Sequence, residues 1–231
     1  MTNLTVVIPT KNEEESLLIL LGELENFKNI IGEIIVVDAN SIDKTIEIAK
    51  NFRCKTIIQK GKIGYGDAII KGIENSNFEY SVILDGDGSK NPIYIKKLLD
   101  EITKKNKDFI FAERYGSDAN SLDDTFLTYI GNRIFTNLGK IFFKVKINDI
   151  LHTFFICKNS SFKKINFKHY NFGFCVELPI KVEKYKLTYE GIATIERKRL
   201  AGQVKVRSFV DGFKILCSMI KLFFTNFSKN I

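Results

Sequence analysis

The chain of 231 residues has few of the residues that make cross-links and linkers: three prolines, four cysteines, two histidines and no tryptophan. Three prolines argue against a proline-rich linker. The cysteines Cys54, Cys157, Cys175 and Cys217 lie far apart and form no Cys-x-x-Cys pair. This spacing argues against a zinc cluster and a disulfide framework, and it predicts the reduced thiols of a cytosolic protein.

Long apolar runs are also missing. A span across a bilayer needs about 18 or more uncharged apolar residues, and the nearest stretch, Phe209–Phe227, contains Asp211, Lys214 and Lys221. The start of the chain has no basic region ahead of an apolar one, which argues against a secretory signal. We therefore expect a cytoplasmic protein, either soluble or peripheral at the cytoplasmic face of the membrane.

Acidic residues are scarce only in the second half. The whole chain has 35 Lys+Arg against 27 Asp+Glu, a formal charge of +8. Up to Tyr115 the two counts are 16 and 18, whereas after it they are 19 and 9. A basic half indicates an anionic partner such as a phosphate, a nucleic acid or an acidic membrane surface. The alternative is a compositional bias toward solvated lysines.

The first 115 residues alternate between strand and helix patterns. Short, largely β-branched apolar runs predict buried strands at Thr5–Pro9, Glu33–Asp38, Lys55–Gln59, Ser81–Leu84 and Asp108–Ala112. Helical patterns lie between them at Glu14–Phe27, Ile42–Phe52 (with Ser41 as its N-cap), Gly66–Asn75 and Pro92–Lys104. This repetition predicts an α/β fold with a parallel sheet, helices on both faces and ligands at the carboxyl ends of the strands.

The second half is less regular. Its patterns predict helices and strands at Thr125–Phe143, Thr153–Cys157, Phe174–Lys186, Leu187–Glu196 and Phe209–Phe227. The last of these is an amphipathic helix, which either packs on the domain or lies on a membrane surface. No linker composition interrupts the chain, so we expect residues 1–231 to form a single domain.

The most informative motif follows the fourth predicted strand. Asp85 and Asp87 put two carboxylates on a tight turn, where Gly86 and Gly88 let the backbone bend. Such oxygens suit Mg²⁺ or Mn²⁺ shared with a diphosphate, and an ordinary Asp/Gly turn is the alternative. The stretch Gly61–Gly66 is either a phosphate cradle or a plain strand–helix turn. The P-loop and the dinucleotide-binding fingerprint are absent, which argues against kinases, ATPases and NAD oxidoreductases.

Several segments keep a characteristic order and spacing along almost the whole chain. They are VVIPTKNEEE (6–15), VVDANSIDKT (36–45), GKIGYGDAIIKGI (61–73), ILDGDGSKNP (83–92), AERY (112–115), GNRIFTNLGKIFF (131–143) and ERKRLAGQVKVRSFVDGFKIL (196–216). Together they resemble glycosyltransferase family 2, and within it the polyprenyl-phosphate (dolichol-phosphate) mannosyl- or glucosyltransferase branch. The resemblance implies a GT-A fold, which is Rossmann-like, with a nucleotide-sugar donor half (residues 1–115) and an acceptor half (residues 116–231).

The resemblance also implies roles for single residues. The pocket for the nucleoside part of the donor would be formed by Pro9, Asn12, Glu13, Asp38, Lys62 and Gly64. The metal ion on the donor diphosphate would be held by Asp85, Asp87 and Ser89. The phosphates of donor and acceptor would be surrounded by Arg114, Arg133, Arg199 and Lys205. Asp87, through the metal, and Arg199 would stabilise the charge of the departing nucleotide, which makes them the catalytic candidates.

The implied reaction is an inverting, metal-dependent hexosyl transfer from a GDP-mannose or UDP-glucose type of donor. A polyprenyl or dolichyl phosphate acceptor is already anionic and needs no strong base, whereas a hydroxyl of a cell-surface glycan needs one, with Asp149 and Glu177 as candidates. A third possibility is a nucleotide-sugar-binding protein without activity. The basic run Glu196–Arg199 lacks the aromatic platform of a nucleic-acid-binding module, so we expect no nucleic-acid partner.

The chain departs from the family pattern in places. Ala39 stands where a second acidic residue is common, and Lys90 stands where a His is frequent. The segment from Asp149 to Thr153 replaces a small Asp-Pro-x-Ser-Gly type of turn, and Val204 replaces a Ser. These departures concern the acceptor more than the donor.

Overall fold

The computed structural model describes residues 4–202 and 208–225. A seven-stranded sheet has the order β3-β2-β1-β4-β7-β5-β8. These strands are β1 (Leu4–Thr10), β2 (Ile31–Asp38), β3 (Lys55–Ile58), β4 (Tyr80–Ile83), β5 (Phe109–Glu113), β7 (Phe155–Lys158) and β8 (Tyr189–Ala193). Within the sheet only β7 is antiparallel to its neighbours, β4 and β5. A separate parallel pair joins β6 (Asn120–Ser121) to β9 (Ile195–Glu196).

Helices cover both faces of the sheet. In the described residues they are α1 (Glu14–Leu24), α2 (Thr45–Asn51), α3 (Tyr65–Glu74), α4 (Tyr94–Lys104), α5 (Phe126–Phe143), α6 (Asn159–Phe162), α7 (Phe174–Lys184) and α8 (Ser208–Phe223). A short 3₁₀ turn, Glu25–Phe27, follows α1. The predicted α/β architecture, a mostly parallel sheet between helices with a C-terminal helix, is confirmed.

The strands are apolar on both faces because each face meets its own core. Along β1, Val7 belongs to one buried cluster, while Val6 and Ile8 belong to the other. The first cluster includes residues of α3, α5, α7 and α8, and the second includes residues of α1 and α4. All three side chains are fully buried, and each such burial contributes about 1.5–3 kcal/mol. Because both faces of β1 are buried, its sequence does not alternate between apolar and polar residues, which is typical of a strand in the middle of a sheet.

Two local predictions are wrong in detail. Ser41 does not cap α2, because its backbone N–H and its hydroxyl donate to the carboxylate of Asp38 at 2.7 and 2.5 Å. Asp43 instead accepts from the backbone N–H of Thr45, the first residue of the helix, at 3.0 Å. The predicted strand Leu187–Glu196 is split into β8 and β9, which pair with different strands.

The topology brings four chain segments to one edge of the sheet. The parallel strands β1, β2 and β4 all end there, so the residues after them are neighbours. Because β7 is antiparallel, its beginning lies at the same edge, which adds the segment ending at Thr153.

All four cysteines are free thiols, and three of them are buried. Among the described helices, none combines the length and the apolar character that a membrane span requires.

Candidate active site

A cavity of about 650 Å³ opens at this edge of the sheet. Its lining comes from the ends of β1 and β4, the first turn of α3, the residues before β7, and parts of α5, α7 and α8. The sequence-predicted residues in the lining are Pro9, Glu13, Gly64, Asp85, Asp87, Ser89, Arg114 and Arg199. Most of the residues assigned to the site from the sequence therefore share one cavity.

The turn after β4 holds its two carboxylates by backbone geometry. Gly88 has a φ of +72°, and a Cβ at this position would lie 2.4 Å from a methyl carbon of Leu200. Its N–H donates to the carbonyl of Asp85 at 3.0 Å, which closes the turn. The backbone N–H of Ser89 donates to Oδ1 of Asp87 at 3.0 Å. The glycine is thus required both by the backbone conformation and by the close approach of Leu200.

Asp87 lies in an environment that disfavours its charge. Burial raises the pKa of its carboxyl above the ordinary value, and the neighbouring carboxylate of Asp85 raises it further. A guanidinium nitrogen of Arg199 lies 3.4 Å from Oδ2 of Asp87 and partly opposes this effect. Arg199 also binds Asp123 at 2.7 Å, so its charge is shared between two acids.

Asp85 is held by a buried network instead. The hydroxyl of Tyr65 donates to its Oδ1 at 2.7 Å, and the ammonium of Lys90 lies 3.0 Å from the same oxygen. Lys90 also donates to the hydroxyls of Tyr65 and Thr153, at 3.1 Å each. Tyr65 and Thr153 are themselves joined by a hydrogen bond of 2.5 Å. Sequence reasoning missed this network because its members come from three distant segments.

The two aspartates fit a divalent cation. Their side chains remain 25% and 19% exposed and face the cavity. The described residues contain no group of three or more His, Cys, Asp or Glu that would form a complete metal cage. A cation here would take one oxygen from each of Asp85 and Asp87 and complete its shell with water and ligand phosphate, which is the usual habit of Mg²⁺. Burial and the nearby carboxylate of Asp85 both disfavour the charge of Asp87, and such a cation would offset them.

Arg114 is a different kind of residue from Arg199. It is buried, and its guanidinium donates to both carboxylate oxygens of Asp149, at 2.7 and 3.1 Å, and to Glu196 at 3.2 Å. Although Arg114 lines the cavity, its charge is already paired within the protein. Arg133 is exposed on α5 and lines a smaller depression of about 330 Å³, which Arg114 also borders. Lys205 lies outside the described residues.

Three residues predicted to hold the donor do not line the cavity: Asn12, Asp38 and Lys62. Asp38 is fully buried and accepts hydrogen bonds from Thr10 and Ser41, so it holds the turn after β2. Asn12 accepts from the backbone N–H of Ile42 and so ties the turns after β1 and β2 together. Lys62 is exposed, with its ammonium 3.7 Å above the ring of Tyr170. In this structure these residues shape or border the site.

The two candidate bases are both engaged elsewhere. Asp149 is fully buried against Arg114. Glu177 is also fully buried, 2.7 Å from Lys181. Burial raises the pKa of Glu177, but hydrogen bonds from His169 and Lys181 outweigh it and hold the pKa below the ordinary value. Neither carboxylate is available to remove a proton from a substrate in the cavity.

His152 is a further cavity residue that the sequence indicated only as a departure. Burial lowers the pKa of its imidazole well below the ordinary value, with added effects from Arg114 and Lys90, so it is neutral at pH 7. Its Nδ1 lies 3.8 Å from a carboxylate oxygen of Glu196. No signal short of the fold would have placed it in the same cavity as the aspartates.

Comparison with known proteins identifies the family. The family model described as glycosyl transferase family 2 matches residues 5–166. A glycosyltransferase of Haloferax volcanii, AglJ, is 27% identical over 182 residues, which cover 78% of this chain and 58% of that protein. A dolichol-phosphate mannosyltransferase of Pyrococcus furiosus is 32% identical over 116 residues, 48% of this chain and 33% of the relative. The chain thus spans less than two thirds of the length of these curated relatives.

The architecture also has solved counterparts. Glucosyl-3-phosphoglycerate synthase from Mycobacterium tuberculosis, in complex with Mn²⁺, UDP and glucosyl-3-phosphoglycerate, superposes with a TM-score of 0.77 at 14% identity, covering 98% of this chain and 82% of that one. The same enzyme with Mg²⁺ and UDP gives a TM-score of 0.76. At this identity the likeness shows the fold alone, and it confirms the GT-A architecture.

Proposed function

Because the chain belongs to glycosyltransferase family 2, we propose that it moves a hexose from a nucleotide-diphosphate sugar to a polyprenyl phosphate, with inversion. The observation that carries the donor side of this proposal is the pair of aspartates, Asp85 and Asp87, which face a 650 Å³ cavity beside Arg199. The volume is in the range of small-molecule sites. Solved proteins of the same fold hold UDP with Mn²⁺ or Mg²⁺.

In this mechanism the chain supplies fixed charges. Asp85 and Asp87 would hold a Mg²⁺ or Mn²⁺ ion, which when bound supplies positive charge to the diphosphate. Arg199 lies at the same place and stabilises the negative charge that develops on the departing nucleotide. Asp123 keeps the guanidinium of Arg199 in position through a 2.7 Å contact.

The choice of acceptor rests first on the two carboxylates that the sequence offered as bases. Asp149 and Glu177, the carboxylates that could serve a hydroxyl acceptor, are both buried and paired. A lipid phosphate attacks through an oxygen that is already anionic. The exposed guanidinium of Arg133, beside a second depression next to the cavity, is well suited to a phosphate. The named activity of the Pyrococcus relative, a dolichol-phosphate mannosyltransferase, supports this choice of acceptor.

We also propose peripheral contact with a cytoplasmic membrane face. The α5–α8 surface is defined by exposed apolar side chains on both helices: Phe126, Leu127, Ile130, Ile134, Ile141, Phe142, Phe213, Leu216, Ile220, Phe223 and Phe224. The two helices meet through Phe142 and Phe223, whose ring centroids lie 5.8 Å apart, and large exposed apolar patches mark interaction sites. Two lysines of α8, Lys214 and Lys221, suit anionic lipid headgroups. Residues of both helices, Thr128 and Ile215 among them, also line the cavity, so a lipid acceptor at this surface would reach it.

The direct test is a screen of labelled GDP- and UDP-hexoses against polyprenyl phosphate in detergent, with products read by mass spectrometry. We expect a hexosyl-phosphoprenol whose formation requires Mg²⁺ or Mn²⁺. Transfer to a glycan hydroxyl but not to the lipid phosphate would contradict the proposed polyprenyl-phosphate acceptor. If calorimetry detects no binding of any nucleotide-diphosphate sugar, the proposed donor is contradicted as well.

A further inference from the structure

Lys90 is a buried lysine whose contacts are unusual for this residue type. It is 2% exposed, and its ammonium lies 3.0 to 3.1 Å from three oxygens, in Asp85, Tyr65 and Thr153. The contacts to Tyr65 and Thr153 are hydrogen bonds, and the contact to Asp85 is an ion pair. Because Lys90 is buried among these groups, we expect it to act on the cavity mainly through its charge.

The charge of Lys90 lies beside the atoms that would hold a cation. Its ammonium is 3.0 Å from Oδ1 of Asp85, and the residue lines the same cavity as both aspartates. An ammonium this close to a candidate ligand oxygen repels a divalent cation, because the interaction is screened only partly inside a protein. The same charge attracts the diphosphate of a nucleotide.

The orientation of Asp85 does not depend on Lys90 alone. The hydroxyl of Tyr65 donates to the same oxygen at 2.7 Å and is itself bound to Thr153. An uncharged side chain of similar length at position 90 would leave this hydrogen bond in place. The electrostatic effect of Lys90 can therefore be separated from its effect on side-chain position.

We propose that Lys90 is the built-in counter-ion of the Asp85–Asp87 turn, which weakens cation binding to the free protein and strengthens binding of the anionic nucleotide diphosphate. Cation and nucleotide are then taken up together, because each removes the repulsion that the other would meet. This inference rests on the proposed donor site and adds to it a charged residue that couples the binding of the cation to that of the nucleotide.

The test compares Lys90→Met with the unmodified chain in two calorimetric titrations. In the first, Mn²⁺ alone is added to nucleotide-free protein, and Lys90→Met binds it about tenfold or more tightly than the unmodified chain. In the second, UDP and GDP are added in the presence of a chelator. For the nucleotide that the unmodified chain binds more tightly, the affinity of Lys90→Met is lower by a factor of about five or more. Two effects of opposite sign are not produced by a loss of structure.

A matched variant serves as the control. Lys96→Met removes an exposed lysine of α4 that pairs with Asp100, and both titrations stay within about twofold of the unmodified chain. Circular dichroism establishes that each variant folds, and Lys90→Gln replaces Lys90→Met if that variant does not.

The inference is overturned if the folded Lys90→Met or Lys90→Gln variant binds Mn²⁺ as tightly as the unmodified chain or more weakly. It is also overturned if the affinities for Mn²⁺ and for the nucleotide change in the same direction. Failure of the proposed function is a separate result. In that case the unmodified chain binds neither UDP nor GDP even with Mn²⁺, whereas the titration with Mn²⁺ alone still decides the role of Lys90.

Discussion

The first and second halves of the chain, divided at Tyr115, place their functional carboxylates in different surroundings. Asp85 and Asp87 of the first half end a buried strand but keep part of their surface open to the cavity. Asp149 and Glu177 of the second half are fully buried against cations of the protein itself. The contrast indicates that charge in the first half is kept for a ligand, whereas much of the charge in the second half stabilises the fold.

Arg114 joins the two halves, and its replacement should give the largest effect. Arg114→Met would leave Asp149 and Glu196 buried without their partner, at a cost of about 3–5 kcal/mol in the free energy of unfolding. Urea denaturation at pH 7 measures this loss. The exposed Arg133→Met should change stability by less than about 0.5 kcal/mol. Equal effects of the two variants would contradict the structural role assigned to Arg114.

Asp87→Asn should separate activity from stability in the first half. We expect the rate of hexosyl transfer to fall by about 100-fold or more, because the carboxylate that would hold the cation is lost. The melting temperature should not fall, since a partly buried carboxyl of raised pKa is replaced by a neutral amide. Asp118→Asn, at an exposed position with a φ of +64° that tolerates Asn, is the matched control. Unchanged turnover in Asp87→Asn would show that Asp85–Asp87 is only a turn.

We expect the exposed apolar surface of the second half to contribute to membrane binding, whereas single exposed apolar residues of the first half should not. Phe213 is 68% exposed within the α5–α8 surface, whereas Leu18 is 51% exposed on α1. Phe213→Ser should reduce binding to vesicles of phosphatidylcholine and phosphatidylglycerol by about tenfold, because one large apolar side chain no longer enters the interface. Leu18→Ser should bind as the unmodified chain does. Equal flotation of the unmodified chain, Phe213→Ser and Leu18→Ser with the vesicles would contradict the proposed membrane contact.

The smallest expected effect concerns Asp108, at the boundary of the halves. Burial raises the pKa of its carboxyl, but hydrogen bonds from Ser161 and Thr188 outweigh this and lower the pKa below its ordinary value of 3.8. A lowered pKa means that the ionised group adds stability above pH 3.8, and that this stability disappears as the pH falls through the folded-state pKa. Asp108→Asn should therefore cost about 1 kcal/mol at pH 7, and its difference from the unmodified chain should shrink in acid.

Urea denaturation from pH 7 to pH 2.5 gives that difference. Asp100→Asn, at an exposed ion pair with Lys96, should be nearly neutral across the same range. A cost for Asp108→Asn that does not depend on pH would show that its carboxylate is not the stabilising form.

Much of the first half could be predicted because its signals are local. Strands such as Leu4–Thr10 are buried on both faces, so their apolar runs are visible in the sequence and their ends are correct within a few residues. The Asp85–Asp87 turn was found for the same reason, since it directly follows one of these strands. Ser41 was misassigned because its bond to Asp38 competes with the helix cap, and a sequence pattern does not rank such alternatives.

The sequence by itself determined the alternation of strands and helices, the position of the acidic turn and the family of the chain. Only the tertiary structure decided which charges remain free for a ligand. Arg114 and Arg199 are the same residue type and both line the cavity, yet Arg114 is buried between Asp149 and Glu196, while the side chain of Arg199 remains 21% exposed. Lys90 became part of the site only when Tyr65 and Thr153 met it from distant segments. The reason is physical: a charge acts through what surrounds it in space, and that surrounding is assembled by long-range packing.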